Sequence, residues 1–237
     1  MDGFPQGGDN RLLQVLAPGT RSALAPAMTH IRLKLRDIMY RQGEAIDYVY
    51  FPTDGVASIV APVEGTAPVE VATVGNEGMV GLPLFLGAAT TPGDAFAQVP
   101  GAAYRMPATD FFSATRELPE FALLLARFTQ AMFVQISQSS ACNRAHSVDE
   151  RCARWLLMTH DRVRRDEFPL SQEFLAQMLG VRRGSVNVVA ALLQQAGFIR
   201  YERGRVHVLD RAGLESAACN CYAVIRREYD DLLRPRA

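Results

Sequence analysis

The stretch Leu170–Leu193, LSQEFLAQMLGVRRGSVNVVAALL, constrains the fold of this chain more than any other segment. Phe174, Leu175, Met178 and Leu179 recur at helical spacing and predict the inner face of a short helix. Val186, Val189, Ala190 and Leu193 repeat the pattern in a second helix, and Gly180 supplies a tight turn between the two. Ser171 is placed to cap the first helix, because its hydroxyl can accept a bond from an orphaned backbone amide. Small Ala176 lets the helices approach closely. The pattern predicts a helix-turn-helix, a motif whose second helix lies in the major groove of DNA. A helical hairpin in an ordinary core is the alternative.

The flanks extend the motif. After it, Gly197 fits a helix C-cap, and Ile199, Tyr201, Val206 and Val208 alternate with polar residues around Arg203-Gly204. That spacing predicts a β-hairpin, a wing whose Arg203 and Arg205 can reach phosphates. Ahead of it, Val148–Arg164 carries Val148, Cys152, Trp155, Leu156 and Thr159 on one stripe and is predicted to pack behind the helix pair. A helix over about 211–233 is expected to close the domain, which is set at 148–237. Position assigns the contacts. Arg183, Gly184 and Asn187 open the second helix and should face bases, where Arg suits guanine and Asn adenine. Ser171, Gln172, Arg182 and Ser185 should meet phosphates, orienting the protein without reading sequence.

Charge agrees with this division. The chain is formally neutral, yet residues 1–150 hold 10 Lys/Arg against 15 Asp/Glu, while 151–211 hold 11 Arg against 6 acids. A basic second half suits a polyanion. No apolar run approaches the length of a membrane span, and no secretory signal is visible at the start, so the cytoplasm is the expected compartment. The four cysteines, Cys142, Cys152, Cys219 and Cys221, are too scattered for a disulfide framework. His30, His146, His160 and His207 lack metal-ligand spacing, and Cys219-Asn-Cys221 is tight and isolated, so neither a metal nor another cofactor is expected. No nucleophile–base pair or glycine-rich phosphate loop suggests an enzyme.

Residues 31–106 are rich in short β patterns. Ile31–Leu35, Tyr48–Phe51, Val56–Ala61, Val69–Val74, Ala95–Val99 and Ala102–Met106 are separated by turn signals, which predicts a sandwich or roll. Leu118–Asn143 is predicted to be one long helix. Phe121, Leu125, Phe128, Met132, Gln135, Ser139 and Cys142 follow the alternating spacing of a two-stranded coiled-coil seam and are expected to form a dimer interface. On that seam Cys142 is expected to fill the interface as a small residue; the alternative is that its symmetry mate faces it and oxidation cross-links the two chains. A helix packed on its own roll is the other reading. The domains are therefore set at 1–117 for the roll, with 1–10 disordered, 118–147 for the dimerisation helix and hinge, and 148–237 for the winged helix.

The segment YRQGEAIDYVYFPTDGVASIV (40–60), with Gly43-Glu44, Tyr50 and Gly55, resembles the roll motif of the CRP/FNR family of bacterial regulators, and LSQEFLAQMLGVRRGSV resembles that family's DNA-binding motif. The resemblance covers about residues 30–210. It implies an α+β protein with an N-terminal jelly-roll-like double-stranded β-roll, a long dimerisation helix and a C-terminal winged helix-turn-helix. It also implies a homodimer on a palindromic operator, and RNA polymerase is a further expected partner. The runner-up is a ligand-binding module acting through protein partners.

Two departures from the family pattern matter. Cyclic-nucleotide-binding members carry a cassette of Gly-Glu-Leu followed by Arg-Ser/Thr-Ala. Here Gly81 fits the first glycine, Leu82 stands where Glu belongs, and Gly93-Asp94 precedes Ala95 in place of Arg-Ser/Thr. An anionic phosphate beside Asp94 without an arginine would be repelled, so cAMP or cGMP is not the expected effector; an unidentified small molecule, or none, is. The iron–sulfur members carry most of their cysteines near the N-terminus, whereas the first here is Cys142. In the recognition helix, Arg183 fits the first position of the family's Arg-Glu-x-x-x-Arg reader, but Gly184 and Val188 replace the other two. A TGTGA-type site is therefore not expected.

Overall fold

The computed structural model describes residues 9–234. Helix α1 (Arg11–Gln14) starts at Asn10, whose Oδ1 accepts from the Leu13 amide at 3.0 Å. Its Nδ2 donates to the carbonyls of Pro52 at 2.8 Å and Gly78 at 2.9 Å. Residues 1–8 of the segment expected to be disordered lie outside the described residues; Asn10 is instead a buried clip between two turns of the roll. Helix α2 (Pro18–Leu24), with proline in its first turn, leads into the strands.

The roll comprises β1 (Thr29–Leu33), β2 (Ile38–Tyr40), β3 (Tyr48–Pro52), β4 (Val56–Ala61), β5 (Val69–Val74), the short helix α3 (Leu82–Phe85), β6 (Asp94–Val99) and β7 (Gly101–Pro107). Two antiparallel sheets result, in the orders β1-β7-β3 and β2-β6-β4-β5. The first strand lies two residues earlier than its alternation suggested, because Arg36 turns the chain with φ 67° and Asp37 accepts from the Lys34 amide at 2.7 Å. Helix α4 (Ala108–Glu117), which was not anticipated, follows β7, and a break at Leu118 starts α5 (Pro119–Ala145).

The coiled-coil seam assigned to α5 is corrected by its packing. Phe121, Leu125, Phe128, Met132, Gln135 and Cys142 are buried within the chain itself, and Ser139 is partly buried, accepting from Arg154 Nη1 at 3.3 Å. Phe121 packs against Phe51 and Phe111, with ring centroids 6.3 and 5.9 Å apart. Phe128 lies so close over Gly78 that a Cβ there would sit 2.4 Å from its ring. Burying each such ring contributes roughly 1.5–3 kcal/mol. The 4-3 spacing marks a stripe that must be covered; the roll and the C-terminal helix of the same chain cover it. A different stripe of α5 is open, with Leu123 57% and Phe133 66% exposed.

The C-terminal half begins with α6 (Val148–Val163), opened by a capping box between Ser147 and Glu150. Then come β8 (Glu167–Pro169), α7 (Gln172–Leu179), α8 (Arg183–Gln195), β9 (Ile199–Glu202) and β10 (Arg205–Val208), the strands forming one sheet in the order β8-β10-β9. The single closing helix expected over 211–233 is two, α9 (Arg211–Ala217) and α10 (Cys221–Leu232), because Ala218 adopts an extended conformation. Helix α10 packs along α5, and Arg127 Nη2 donates to its last carbonyls, Asp231 at 3.0 Å and Leu232 at 2.9 Å.

Candidate nucleic-acid interface

The helix-turn-helix forms as its local sequence dictates. Ser171 Oγ accepts from the Phe174 amide at 3.1 Å, and Gly180 ends α7 in the left-handed conformation at φ 63°. All the predicted inner-face residues of α7 and α8 are buried. From α6, buried Arg151 donates to the Leu179 carbonyl and ties off the C-terminus of α7. Helix α8 starts at Arg182 without a side-chain cap; the Ser185 amide donates to the Arg182 carbonyl at 3.0 Å, and the Arg183 and Gly184 amides stand uncapped at the positive end of the helix dipole. Arg182, Arg183, Gly184, Ser185 and Asn187 are exposed there together, with Ser171 exposed and Gln172 partly exposed nearby. Val188 is 61% exposed on the same outward face.

In the wing, Arg203 and Gly204 both adopt positive φ, 50° and 74°, which makes the tight hairpin between β9 and β10. Arg203 is exposed at the tip. Arg205 is half-exposed and its Nε is ion-paired with Glu167 on β8. The two wing arginines, equivalent by sequence, are thus unequal.

The four residues expected to line a ligand pocket have packing roles. Gly81 starts α3 at φ 106°, with Val49 filling the space a Cβ would need. Leu82 and Ala95 are buried in the core. Asp94 Oδ1 accepts from the Gln42 amide at 2.7 Å, which pins the loop carrying Gly43-Glu44.

A polar chain that sequence reasoning missed crosses from the roll to α6. Trp155 Nε1 donates to Glu70 Oε1 at 2.7 Å, and Ser58 Oγ lies 2.6 Å from Glu70 Oε2 and 2.7 Å from Gln98 Oε1. Gln98 Nε2 donates to Thr159 Oγ1 at 3.2 Å. Ser58 has one proton for two oxygens, so a proton on Glu70 completes the chain: Glu70 donates to Ser58, and Ser58 to Gln98. Glu70 is only partly buried as a residue, but its carboxyl is enclosed, and burial pushes it up to about 7 even though the Trp155 indole donates to it and it shares a hydrogen bond with Ser58. The available signal was Ser58 as the lone polar residue of the apolar strand VASIVA and Glu70 as the lone charged residue of VEVATV.

A pH dependence follows. Glu70 binds its proton more tightly in the folded state than its ordinary value of 4.5 allows in the unfolded chain. Its stabilising contribution is therefore full below about 4.5 and is lost as pH rises through about 7. Thermal melts across this range should fall in wild type and flatten in Glu70→Gln. Trp155 is the only tryptophan, so its emission should shift over the same interval. Parallel melting profiles for the two proteins would refute the assignment.

The two halves also meet at Arg162. Its Nε donates to Glu77 Oε1 at 2.8 Å, Nη1 to the Met158 carbonyl at 2.7 Å and Nη2 to Gln135 Oε1 at 3.0 Å, with both members of the ion pair buried. Gly75 makes this possible, since a Cβ there would lie 2.5 Å from the arginine stem. Gln135, assigned to the dimer seam, belongs to this junction, where its Nε2 also donates to the Thr73 carbonyl at 3.0 Å.

The cysteines are not scattered in space. Cys142 Sγ lies 3.4 Å from Cys219 Sγ in the same chain, which removes the footing for a cross-link between subunits at Cys142. Cys221 and His146 join them, whereas Cys152 stands apart on the buried face of α6. The expectation that these residues lack metal-ligand geometry is thereby corrected.

A basic recognition helix and wing, carried on a β-roll through one long helix, define a DNA-reading regulator with a sensor-type domain. The comparisons agree. The model of the cyclic nucleotide-binding domain matches residues 30–117, and that of the Crp-like helix-turn-helix domain matches 150–217. The fold is shared with a transcriptional regulator of the CRP/FNR family from Eubacterium rectale, at 16% identity and a TM-score of 0.67 over 92% of this chain and 99% of that one. FixK2 from Bradyrhizobium japonicum aligns at 16% identity and a TM-score of 0.68, over 81% of this chain and 98% of its own. TTHB099, a CRP-family transcriptional regulator from Thermus thermophilus, aligns at 22% identity and 0.66, over 79% and 96%. No curated protein matches the sequence significantly. The chain belongs to the CRP/FNR family and is a CRP-like DNA-binding transcription regulator.

Proposed function

We propose that this regulator reads a palindromic operator as a homodimer and answers to a signal other than cAMP or cGMP. The observation that carries the reading is the open, uncapped start of α8 with Arg182, Arg183, Gly184, Ser185 and Asn187 exposed together. Arg183 and Asn187 supply hydrogen bonds to base edges, Gly184 leaves room for close approach, and Val188 offers an apolar contact to a thymine methyl. Ser171, Gln172, Arg182, Ser185 and Arg203 hold phosphates, and Arg205 contributes less because Glu167 neutralises it.

Dimerisation uses the open stripe of α5. Leu123, Ala126, Gln130, Phe133, Ser137 and Ser140 are exposed at alternating spacings of three and four, the pattern of a two-stranded seam. Such a dimer sets two recognition helices on successive major grooves. RNA polymerase is the further partner, and the cytoplasm the compartment; among the described residues no helix is long and apolar enough to cross a membrane. The roll has Asp94 committed to a loop and no arginine near it in the cassette, which disfavours a cyclic phosphate. Control would run through the Arg162 junction, beside which both halves line a cavity of about 230 Å³.

Selection of bound DNA from a random pool tests the reading. Arg183→Ala should relax base preference at one position of each half-site, each lost contact being worth about 1–3 kcal/mol. Arg203→Ala should weaken binding to all sequences alike and lower its salt dependence. An unselected pool at moderate salt would favour the reading in which the chain acts through protein partners.

A further inference from the structure

The end of α5 and the break between α9 and α10 bring four ligand-type side chains to one point. Cys142 lies in the last turn of α5, and His146, four residues on, is its C-cap, whose amide donates to the Cys142 carbonyl. Cys219 and Cys221 flank Asn220 in the break. Cys142 Sγ and Cys219 Sγ are 3.4 Å apart, Cys221 Sγ and His146 Nδ1 are 3.5 Å apart, and all four ligand atoms lie within 4.8 Å of one another. A tetrahedral ion with metal–sulfur bonds of ~2.3 Å and a metal–nitrogen bond of ~2.0 Å sets its sulfurs ~3.8 Å apart and sulfur to nitrogen ~3.5 Å. Those two pairs already stand near that spacing, and every other separation within the set is at most 4.8 Å, so small side-chain rotations close the site. An iron–sulfur cluster carries its thiolates on the outside of a larger inorganic core and needs a wider opening.

The surroundings suit such an ion. Cys142, Cys219 and Cys221 are buried and His146 is partly so. Gln138 Nε2 lies 3.1 Å from Cys221 Sγ, a donor able to support a metal-bound thiolate from outside the ligand set. Three thiolates on a divalent ion leave one negative charge, and Arg151 and Arg154 stand close enough to Cys142 to offset it. The three soft sulfurs and one imidazole, with no position left open, match a closed structural zinc site.

We propose that Cys142, His146, Cys219 and Cys221 bind one zinc ion. The ion ties the start of α10 to the end of α5, one residue before Ser147 caps α6, and so fixes the joint that carries the DNA-reading half.

The test uses the full chain, purified without added metal. Elemental analysis should find one zinc per chain in wild type and in Cys152→Ser, and none in Cys219→Ser or Cys221→Ser. Because those variants can fail to fold, the wild-type apoprotein is also titrated with cobalt(II). It should saturate at one equivalent, with a thiolate-to-cobalt charge-transfer band and the visible bands of a tetrahedral centre. A chelator should lower the melting temperature of wild type and Cys152→Ser. Three results would each overturn the proposal: no zinc and no cobalt spectrum at one equivalent, iron with acid-labile sulfide, or a Cys142–Cys219 disulfide in freshly purified protein. None of these readouts depends on DNA binding, so the operator reading and the zinc site fail separately.

Discussion

Arg162→Ala should destabilise the folded chain by roughly 3–5 kcal/mol, the range for removing one partner of a buried ion pair. The loss is large because Glu77 stays behind as an enclosed carboxylate and the Gln135 carbonyl oxygen loses a donor. A double variant makes the result specific. Arg162→Met combined with Glu77→Leu removes both charges and should recover much of the stability, since an apolar pair of similar size often replaces a buried ion pair at little cost. The double variant should thus lie closer to wild type than either single one, the mark of a coupled pair. Urea denaturation followed by both Trp155 emission and far-ultraviolet dichroism measures wild type, Arg162→Ala, Arg162→Met, Glu77→Leu and the double variant. The two probes should also separate in Arg162→Ala, because the roll and the C-terminal half lose their main polar tie. A loss below about 1 kcal/mol, the scale of exposed pairs, would show that the junction is solvated in solution.

Phe133→Asp should convert the proposed homodimer to monomer at concentrations where wild type sediments as a dimer. An exposed aromatic in the middle of a symmetric seam is an anchor worth about 2 kcal/mol or more, and two-fold symmetry applies the loss twice. The dimer Kd should therefore rise roughly a thousandfold. Sedimentation velocity reads this directly. Folding should be unaffected, because Phe133 is 66% exposed within its own chain and leaves no cavity there. Affinity for a palindromic operator should fall with dimerisation, while contact with a single half-site persists. Met132→Asp makes the contrasting case: Met132 is buried against the chain's own core, so that change should unfold the protein rather than dissociate it. A Phe133→Asp protein that sediments as a dimer would place the interface elsewhere.

The helix-turn-helix was legible because everything that specifies it is local. Ser171, Gly180 and the two apolar stripes act within a few residues of themselves. The wing was legible for the same reason, Arg203-Gly204 being both its turn and its tip. The face of α5 was not. Heptad-like spacing says that a stripe is covered, not by what, and a polar residue such as Gln135 fits a seam or a buried junction equally well. Two long-range contacts were out of reach of any local pattern. Arg162 and Glu77 are 85 residues apart, and Cys142 and Cys219 are 77 apart. The second pair was hidden further by reading α9 and α10 as one helix, which would have carried Cys219 and Cys221 to different faces. Two weak signals existed: the one-turn spacing of Cys142 and His146, and the two cysteines separated by one residue at 219 and 221.

Gly184 has a consequence of another kind. It lies in the first turn of α8, its backbone is not in the left-handed region, and a Cβ built there meets nothing within 4 Å. Glycine costs a helix roughly 0.5–1 kcal/mol relative to alanine. The fold therefore gains nothing from it. On the proposed DNA-reading role, a vacant position that stability does not constrain is an open door for evolution: one substitution there should change base preference while leaving the scaffold intact. Members of the lineage can diverge in the genes they control faster than in the shape they share.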